Sequence, residues 1–170
     1  MVASRATAAD LPDLPAGMSR ARMARAVVAA ITTEAAAAAD GRETGGILLG
    51  SDDGTVVEVR RAGGPGPHAD RRASGFRRDL AHAQELALAA WAADGSVWVG
   101  EWHTHPRGPG RPSAIDLATY GGFLTDPTLG FRQFCAIIVT PANGADWVRM
   151  RMAAWLVTLD GILAVPLEVG

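Results

Sequence analysis

Apolar positions recur at two different periods along this chain, and the change of period divides it into helices and strands. From about Met18 to Ala39 the spacing of Met23, Val27, Ala30 and Ile31 predicts a helix, with Ser19 as its N-cap and Gly41 as its stop. Residues 1–17 are small, polar and broken by prolines, and read as a flexible N-terminal tail ahead of one domain over 18–170. Glu43 opens the stretch Glu-Thr-Gly-Gly-Ile-Leu-Leu-Gly, a short apolar strand. Ser51–Gly54 turns the chain, and Thr55–Arg60 alternates as the second strand of a hairpin. Residues 61–75, rich in Gly, Pro and charge, read as a loop that is either flexible or shaped by a partner. A helix follows near Asp79–Ala93, with Leu80, Leu86, Ala87, Ala90 and Trp91 available for packing and Asp94-Gly95 as its end.

Val97, Trp98, Val99 and Trp102 are β-branched or aromatic, which predicts a strand over 96–105. Strict alternation puts His103 and His105 on one side of it, and Trp98 and Trp102 together on the other, packed against a helix. A helix beginning at Ser113 should end near Gly121-Gly122, before a loop over 125–130. The remainder reads as three strands, over 132–140, 146–159 and 162–169. Helices interspersed with hairpins predict a mixed α/β (α+β) sheet with flanking helices rather than a doubly wound one.

Composition narrows the function classes. A net charge of −2, with acids and bases spread along the chain, leaves no basic stripe to track a phosphate backbone, so nucleic acid is not expected as a partner. No apolar run approaches the length of a membrane span, and the N-terminus lacks the apolar segment of a signal peptide, so no membrane association and a cytoplasmic location are expected. The single cysteine, Cys135, lies in an apolar strand-like run and reads as a buried structural thiol. All 16 basic residues are arginines. A GC-rich genome explains this, and a protein that handles lysine-linked conjugates would also gain by having no lysine to be tagged.

The chemistry concentrates between Gly100 and Asp116. His103 and His105 are followed after seven residues by Ser113 and three positions later by Asp116. Two imidazoles from a strand and one carboxylate from the first turn of a helix supply three ligands for a zinc ion and leave a fourth position open, the arrangement of a catalytic site. Ser113-x-x-Asp116 also fits a helix-capping box, which would occur with no metal present. A hydrolytic site needs a general base, and two glutamates compete for the role. Glu101 shares the strand face of His103, where it could equally orient an imidazole N–H; Glu43 starts its own strand. His68 and His82 read as solvent-facing. Gly63, Gly64 and Gly66 lack the lysine and the strand–helix context of a phosphate loop.

Glu43 with its Thr-Gly-Gly-Ile-Leu-Leu-Gly, followed by His103-Thr-His105, seven residues, Ser113, two residues and Asp116, resembles the complete signature of the JAMM (MPN-plus, Mov34/PAD-1) metallopeptidases. The resemblance covers roughly residues 18–140 and implies an MPN/JAB fold of the cytidine-deaminase-like kind. It implies one zinc ion on His103, His105 and Asp116, Glu43 as general acid/base, and Ser113 stabilising the tetrahedral intermediate. The surrounding Val-Gly-Glu-Trp-His-Thr-His-Pro is similar to bacterial members encoded with E1-like and E2-like enzymes, some of them in antiphage operons. The expected activity is removal of a ubiquitin-like or other conjugated protein from a target amine. The alternatives are a non-catalytic MPN scaffold and a metallohydrolase that processes a sulfur-carrier protein.

Overall fold

Strand pairing, not helix formation, claims the start of the chain. The computed structural model describes residues 19–144 and 146–170, so the tail expected over 1–17 lies outside the described residues. The helix predicted from Met18 begins only at Arg25. Arg20–Met23 is instead a strand, β1, and Ser19 caps nothing. Arg-Ala-Arg-Met carries a period-two pattern within the helical one: Ala21 and Met23 are fully buried, while Arg20 and Arg22 reach Glu168. Two parallel neighbours supply the backbone partners that outweigh four residues of helix propensity.

Helix α1 (Arg25–Ala37) buries Val27, Ile31 and Ala35, one face at four-residue spacing. Strands β2 (Gly45–Asp52) and β3 (Val56–Ala62) form the predicted hairpin. The segment read as a loop is partly a second hairpin, β4 (Asp70–Arg72) with β5 (Gly75–Arg77). Helix α2 (Leu80–Asp94) is capped by the Asp79 carboxylate, which accepts from the amides of Ala81 and His82, and ends at Gly95 with φ 73°. Strand β6 (Val97–Thr104) leads to helix α3 (Ala114–Thr125). That helix runs through Gly121-Gly122, where an end was expected, and stops at Asp126, before Pro127. Strands β7 (Phe134–Pro141) and β8 (Met150–Thr158) follow. Pro166 divides the last predicted strand into β9 (Gly161–Val165) and β10 (Leu167–Val169).

The large sheet has the order β10-β1-β3-β2-β6-β7-β8-β9 and mixes parallel and antiparallel pairs, as the interspersed pattern predicts. Its two edges, β9 and β10, are consecutive in the chain, so the sheet curls until they are joined by one proline. One face packs on α1 through Met23, Val27, Ile31, Leu48, Val59, Trp102, Ile137 and Val139. Burying each large aliphatic side chain there contributes roughly 1.5–3 kcal/mol. The other face carries α2 over Ile47 and Leu49, and α3 over Phe134, Ala136 and Val157. Cys135 is fully buried in β7, and burial pushes its thiol up to about 12, as expected of a structural cysteine.

Candidate metal centre

Strand β6 lies between β2 and β7 and delivers the histidines from the middle of the sheet. Its pairing with β2 is irregular: Leu48 faces Gly100 but Leu49 faces Trp98, so Val99 is bulged. A bulge reverses the inward–outward phase of a strand. Trp98 therefore joins Phe123, Phe131 and Phe134 on the histidine side, at ring separations of 5.0–5.8 Å, whereas Val99 and Trp102 pack on the α1 side. This corrects the expectation that the two tryptophans share a face. Both do pack in clusters that contain helix residues, but on opposite sides of the sheet.

Beyond the bulge, His103 and His105 point the same way. Their Nε2 atoms stand 2.9 Å apart, and Asp116 Oδ2, from the first turn of α3, lies 3.4 Å from each. Four ligands about 2.0–2.1 Å from a tetrahedral ion stand about 3.3 Å from one another, so the three edges match one face of such a tetrahedron. His105 Nδ1 lies 2.9 Å from the Pro109 carbonyl oxygen, which can only accept, so that nitrogen carries a hydrogen and Nε2 is the ring nitrogen turned toward the site. His103 Nδ1 faces Glu101 Oε1 at 3.5 Å. Two imidazole nitrogens and a carboxylate oxygen thus converge on one point, an arrangement that needs a cation or a proton among them. The chemistry of the donor set fits a divalent metal. Among the described residues this is the only group of three or more such side chains placed to hold one; His68 is exposed, and His82 lies elsewhere, on α2.

The charges respond accordingly. Burial alone would push His103 down, but Asp116 and Glu101 outweigh it and lift the imidazole to about 9. Burial would raise Asp116, yet His103, His105 and Ser113 hold it well below the usual carboxylate range. Asp116 is also half of a capping box: its Oδ2 accepts from the Ser113 amide at 2.6 Å, and its own amide donates to Ser113 Oγ at 3.2 Å. The capping and ligand readings of Ser113-x-x-Asp116 therefore coexist. Because Ser113 Oγ accepts from the backbone, its hydroxyl hydrogen remains available to donate.

Glu43 is brought to the same place. Thr44 N donates to Thr104 Oγ1 at 2.9 Å and Thr104 N to Thr44 O at 2.8 Å, tying the start of β2 to the end of β6. The Glu43 amide donates to Arg72 O at 2.7 Å, and the Arg71 guanidinium reaches Glu43 O, Ala38 O and Asp40, so the β4–β5 hairpin clasps this corner. Burial raises the Glu43 carboxyl, against the opposing pull of His103 and His105. Glu43, Ser113 and Asp116 line a cleft of about 300 Å³ with Phe76, Leu80 and Ile115. A second opening, which shares Glu43, Ser113 and Ile115 with the first, is lined also by His105, Arg107 and Pro109.

Glu101, the rival base, is occupied otherwise. It forms an ion pair with Arg78 and accepts a 2.9 Å hydrogen bond from the Tyr120 hydroxyl. Arg78 and Tyr120 were not singled out from the sequence. Tyr120 was accessible in principle, because it follows Asp116 by four residues on the same helical face; Arg78 carries no such signal.

The family described as prokaryotic homologs of the JAB domain matches residues 24–155. Three relatives carry the name CD-NTase/cGAS isopeptidase. One from Pseudomonas aeruginosa is 40% identical over 80 residues, covering 46% of this chain and 51% of the relative. One from Escherichia coli is 32% identical over 91 residues, covering 51% and 58%. One from Enterobacter hormaechei is 38% identical over 78 residues, covering 44% and 42%. The matches thus span about half the length of these relatives. Among solved structures, a Desulfitobacterium hafniense protein superposes with a TM-score of 0.65 at 22% identity, covering 88% of this chain and 92% of its own. A Salinibacter ruber protein gives 0.55 at 22% identity, covering 88% and 91%. At that identity the two structures speak to the fold alone.

Proposed function

Because the chain belongs to the family of prokaryotic JAB-domain homologues, we propose that it is a zinc-dependent isopeptidase or peptidase that frees the C-terminus of a conjugated protein from a target amine. The observation that carries this reading is the convergence of His103 Nε2, His105 Nε2 and Asp116 Oδ2 beside the Glu43 carboxylate. The names of the relatives support an isopeptide substrate that involves a CD-NTase/cGAS-type protein, and in this reading the conjugated protein is ubiquitin-like or of another kind. Such a substrate would place the enzyme beside E1-like and E2-like partners in a bacterial antiphage conjugation system.

In this reading His103, His105 and Asp116 hold zinc, which when bound acidifies a water and polarises the scissile carbonyl. Glu43, its carboxyl raised by burial, takes the proton of the attacking water and returns it to the leaving amine. Ser113 donates its free hydroxyl hydrogen to the carbonyl oxygen as negative charge develops there. Glu101 does not serve as base, since Arg78 and Tyr120 already hold both of its oxygens. The β4–β5 hairpin lines the cleft, residues 106–109 line the neighbouring opening, and these segments would receive an extended substrate tail.

The test compares the wild type with Glu43→Ala and Asp116→Ala on candidate conjugates. Glu43→Ala should keep its zinc and lose about 10²–10⁴-fold in turnover, the usual worth of a general acid/base. Asp116→Ala should lose both metal and activity. Wild-type protein that neither contains nor binds zinc would overturn the proposal in favour of a non-catalytic scaffold.

A further inference from the structure

We propose that Arg78 is a positioning residue that acts through Glu101 on the metal-facing imidazole of His103. The inference rests on the metal-site reading above and extends it to groups outside the ligand set.

The geometry has four parts. The side chains of Arg78 and Glu101 are 11% and 10% exposed, so both charges are nearly out of water. Glu101 Oε2 is taken by the Arg78 guanidinium, and Oε1 accepts from Tyr120 at 2.9 Å while lying 3.5 Å from His103 Nδ1. His103 itself is 2% exposed, so no water competes for that nitrogen. The guanidinium is held in turn between aromatic rings, 5.2 Å from the Trp98 centroid and 5.7 Å from that of Phe123.

A buried ion pair is a poor device for stability alone, because its desolvation cost offsets much of its attraction and an apolar pair of similar size does as well. Here the pair has a direction. With Arg78 on one oxygen and Tyr120 on the other, the carboxylate cannot rotate, and Oε1 stays aimed at His103. An imidazole so oriented keeps Nε2 toward the metal position, the role outer partners play at metal sites. Arg78 belongs to the short link between β5 and α2 and lines the cleft with Phe76 and Arg77. One carboxylate thereby fastens the cleft-walling hairpin to a metal-facing side chain.

The experiment is a double-mutant cycle on the full chain, read as Zn²⁺ affinity by chelator competition and as the visible absorption of Co²⁺-loaded protein. Arg78→Met keeps an unbranched side chain beside the aromatic rings and removes the charge; Glu101→Gln removes the carboxylate. Each should weaken Zn²⁺ about 10–100-fold and alter the Co²⁺ band. The double variant should bind within about 3-fold of Glu101→Gln alone, because Arg78 then has nothing to act through. Arg78→Lys, which restores the charge, should recover most of the affinity. Should Arg78→Met fail to fold, Arg78→Gln takes its place in the cycle. Wild-type affinity in the Arg78 variant, multiplicative losses in the double variant, or no recovery with lysine would each overturn this inference. Absence of Zn²⁺ binding by the wild type would overturn the metal reading itself, so the two failures are distinguishable.

Discussion

Ser113 is the observed cap of α3 and the proposed oxyanion donor, and substituting it separates the two roles. As N-cap of α3 it accepts one hydrogen bond, from the Asp116 amide at 3.2 Å, while the reciprocal bond from its own amide to Asp116 Oδ2 at 2.6 Å is backbone-borne and survives exchange of the side chain for any residue but proline. Ser113→Ala therefore removes one arm of the capping box. A cap exchanged for alanine costs about 1 kcal/mol, which for a domain of this size lowers Tm by roughly 2–4 °C. That loss leaves the protein folded and its ligand carboxylate in place. As oxyanion donor the same hydroxyl is worth far more. Losing one such donor lowers kcat by about 10²–10³, or roughly 2.7–4 kcal/mol of transition-state stabilisation. Ser113→Gly sharpens the comparison, because glycine at an N-cap costs only about a few tenths of a kcal/mol and offers no side-chain donor. Thermal melts, zinc content and kcat on a cleavable conjugate should be measured for all three proteins. Ser113→Gly should stay close to the wild type in Tm and zinc while falling with Ser113→Ala in kcat. If Ser113→Gly instead turns over within about 5-fold of the wild type, the hydroxyl is only a cap and the oxyanion assignment fails.

Gly45 should prove intolerant of any side chain: a Cβ there would sit 2.2 Å from the Trp102 carbonyl oxygen and 2.7 Å from His103 Cβ, so Gly45→Ala must push β2 away from β6 at the ligand strand. A shift near 1 Å costs about 100-fold in rate, and Gly45→Ala with wild-type zinc stoichiometry and turnover would show that the close approach is unimportant. Proton linkage should accompany metal loading. His103, lifted to about 9 by its protein neighbours, carries a proton at pH 7 that a metal must displace. Zn²⁺ titrated into chelator-treated protein should therefore release about one proton, and apparent affinity should rise up to about tenfold per pH unit between roughly pH 7 and 9 and level off above. Calorimetric heats that do not depend on the buffer's ionisation enthalpy would contradict this.

Much of the candidate site is legible because each candidate ligand belongs to a local pattern. The i, i+2 histidines need only a strand, and Ser113 and Asp116 need only a helix start; the structure supplies both. Glu43 was not separable from Glu101 by residue pattern, since its approach to the histidines depends on the pairing of β2 with β6 and on the buried Thr44–Thr104 link. The phase of Trp98 was misread because a bulge leaves no mark in a run of β-branched and aromatic residues. β1 was misread for a related reason. Arg-Ala-Arg-Met fits both periods, and only partners 35 or more residues away, in β3 and β10, decide between them. Arg71 and Arg78 show the limit from the other side. An arginine in a charged loop looks solvated until the fold provides the carbonyls, carboxylates and rings that hold it.

The curled sheet, with its first and last strands side by side, has a consequence for the order of folding. β2, β3, β6 and β7 join through neighbouring or moderately spaced segments, whereas β1 is locked on its outer side by β10, through contacts such as Arg22–Glu168 at a sequence separation of 146 residues. Closing so long a loop is slow and is rewarded only at the end. The centre of the sheet, which bears His103, should therefore gain hydrogen-exchange protection before the β1–β10 seam, which pulse labelling during refolding can time. A chain caught before that seam closes would expose the two edges it joins as free templates for other strands.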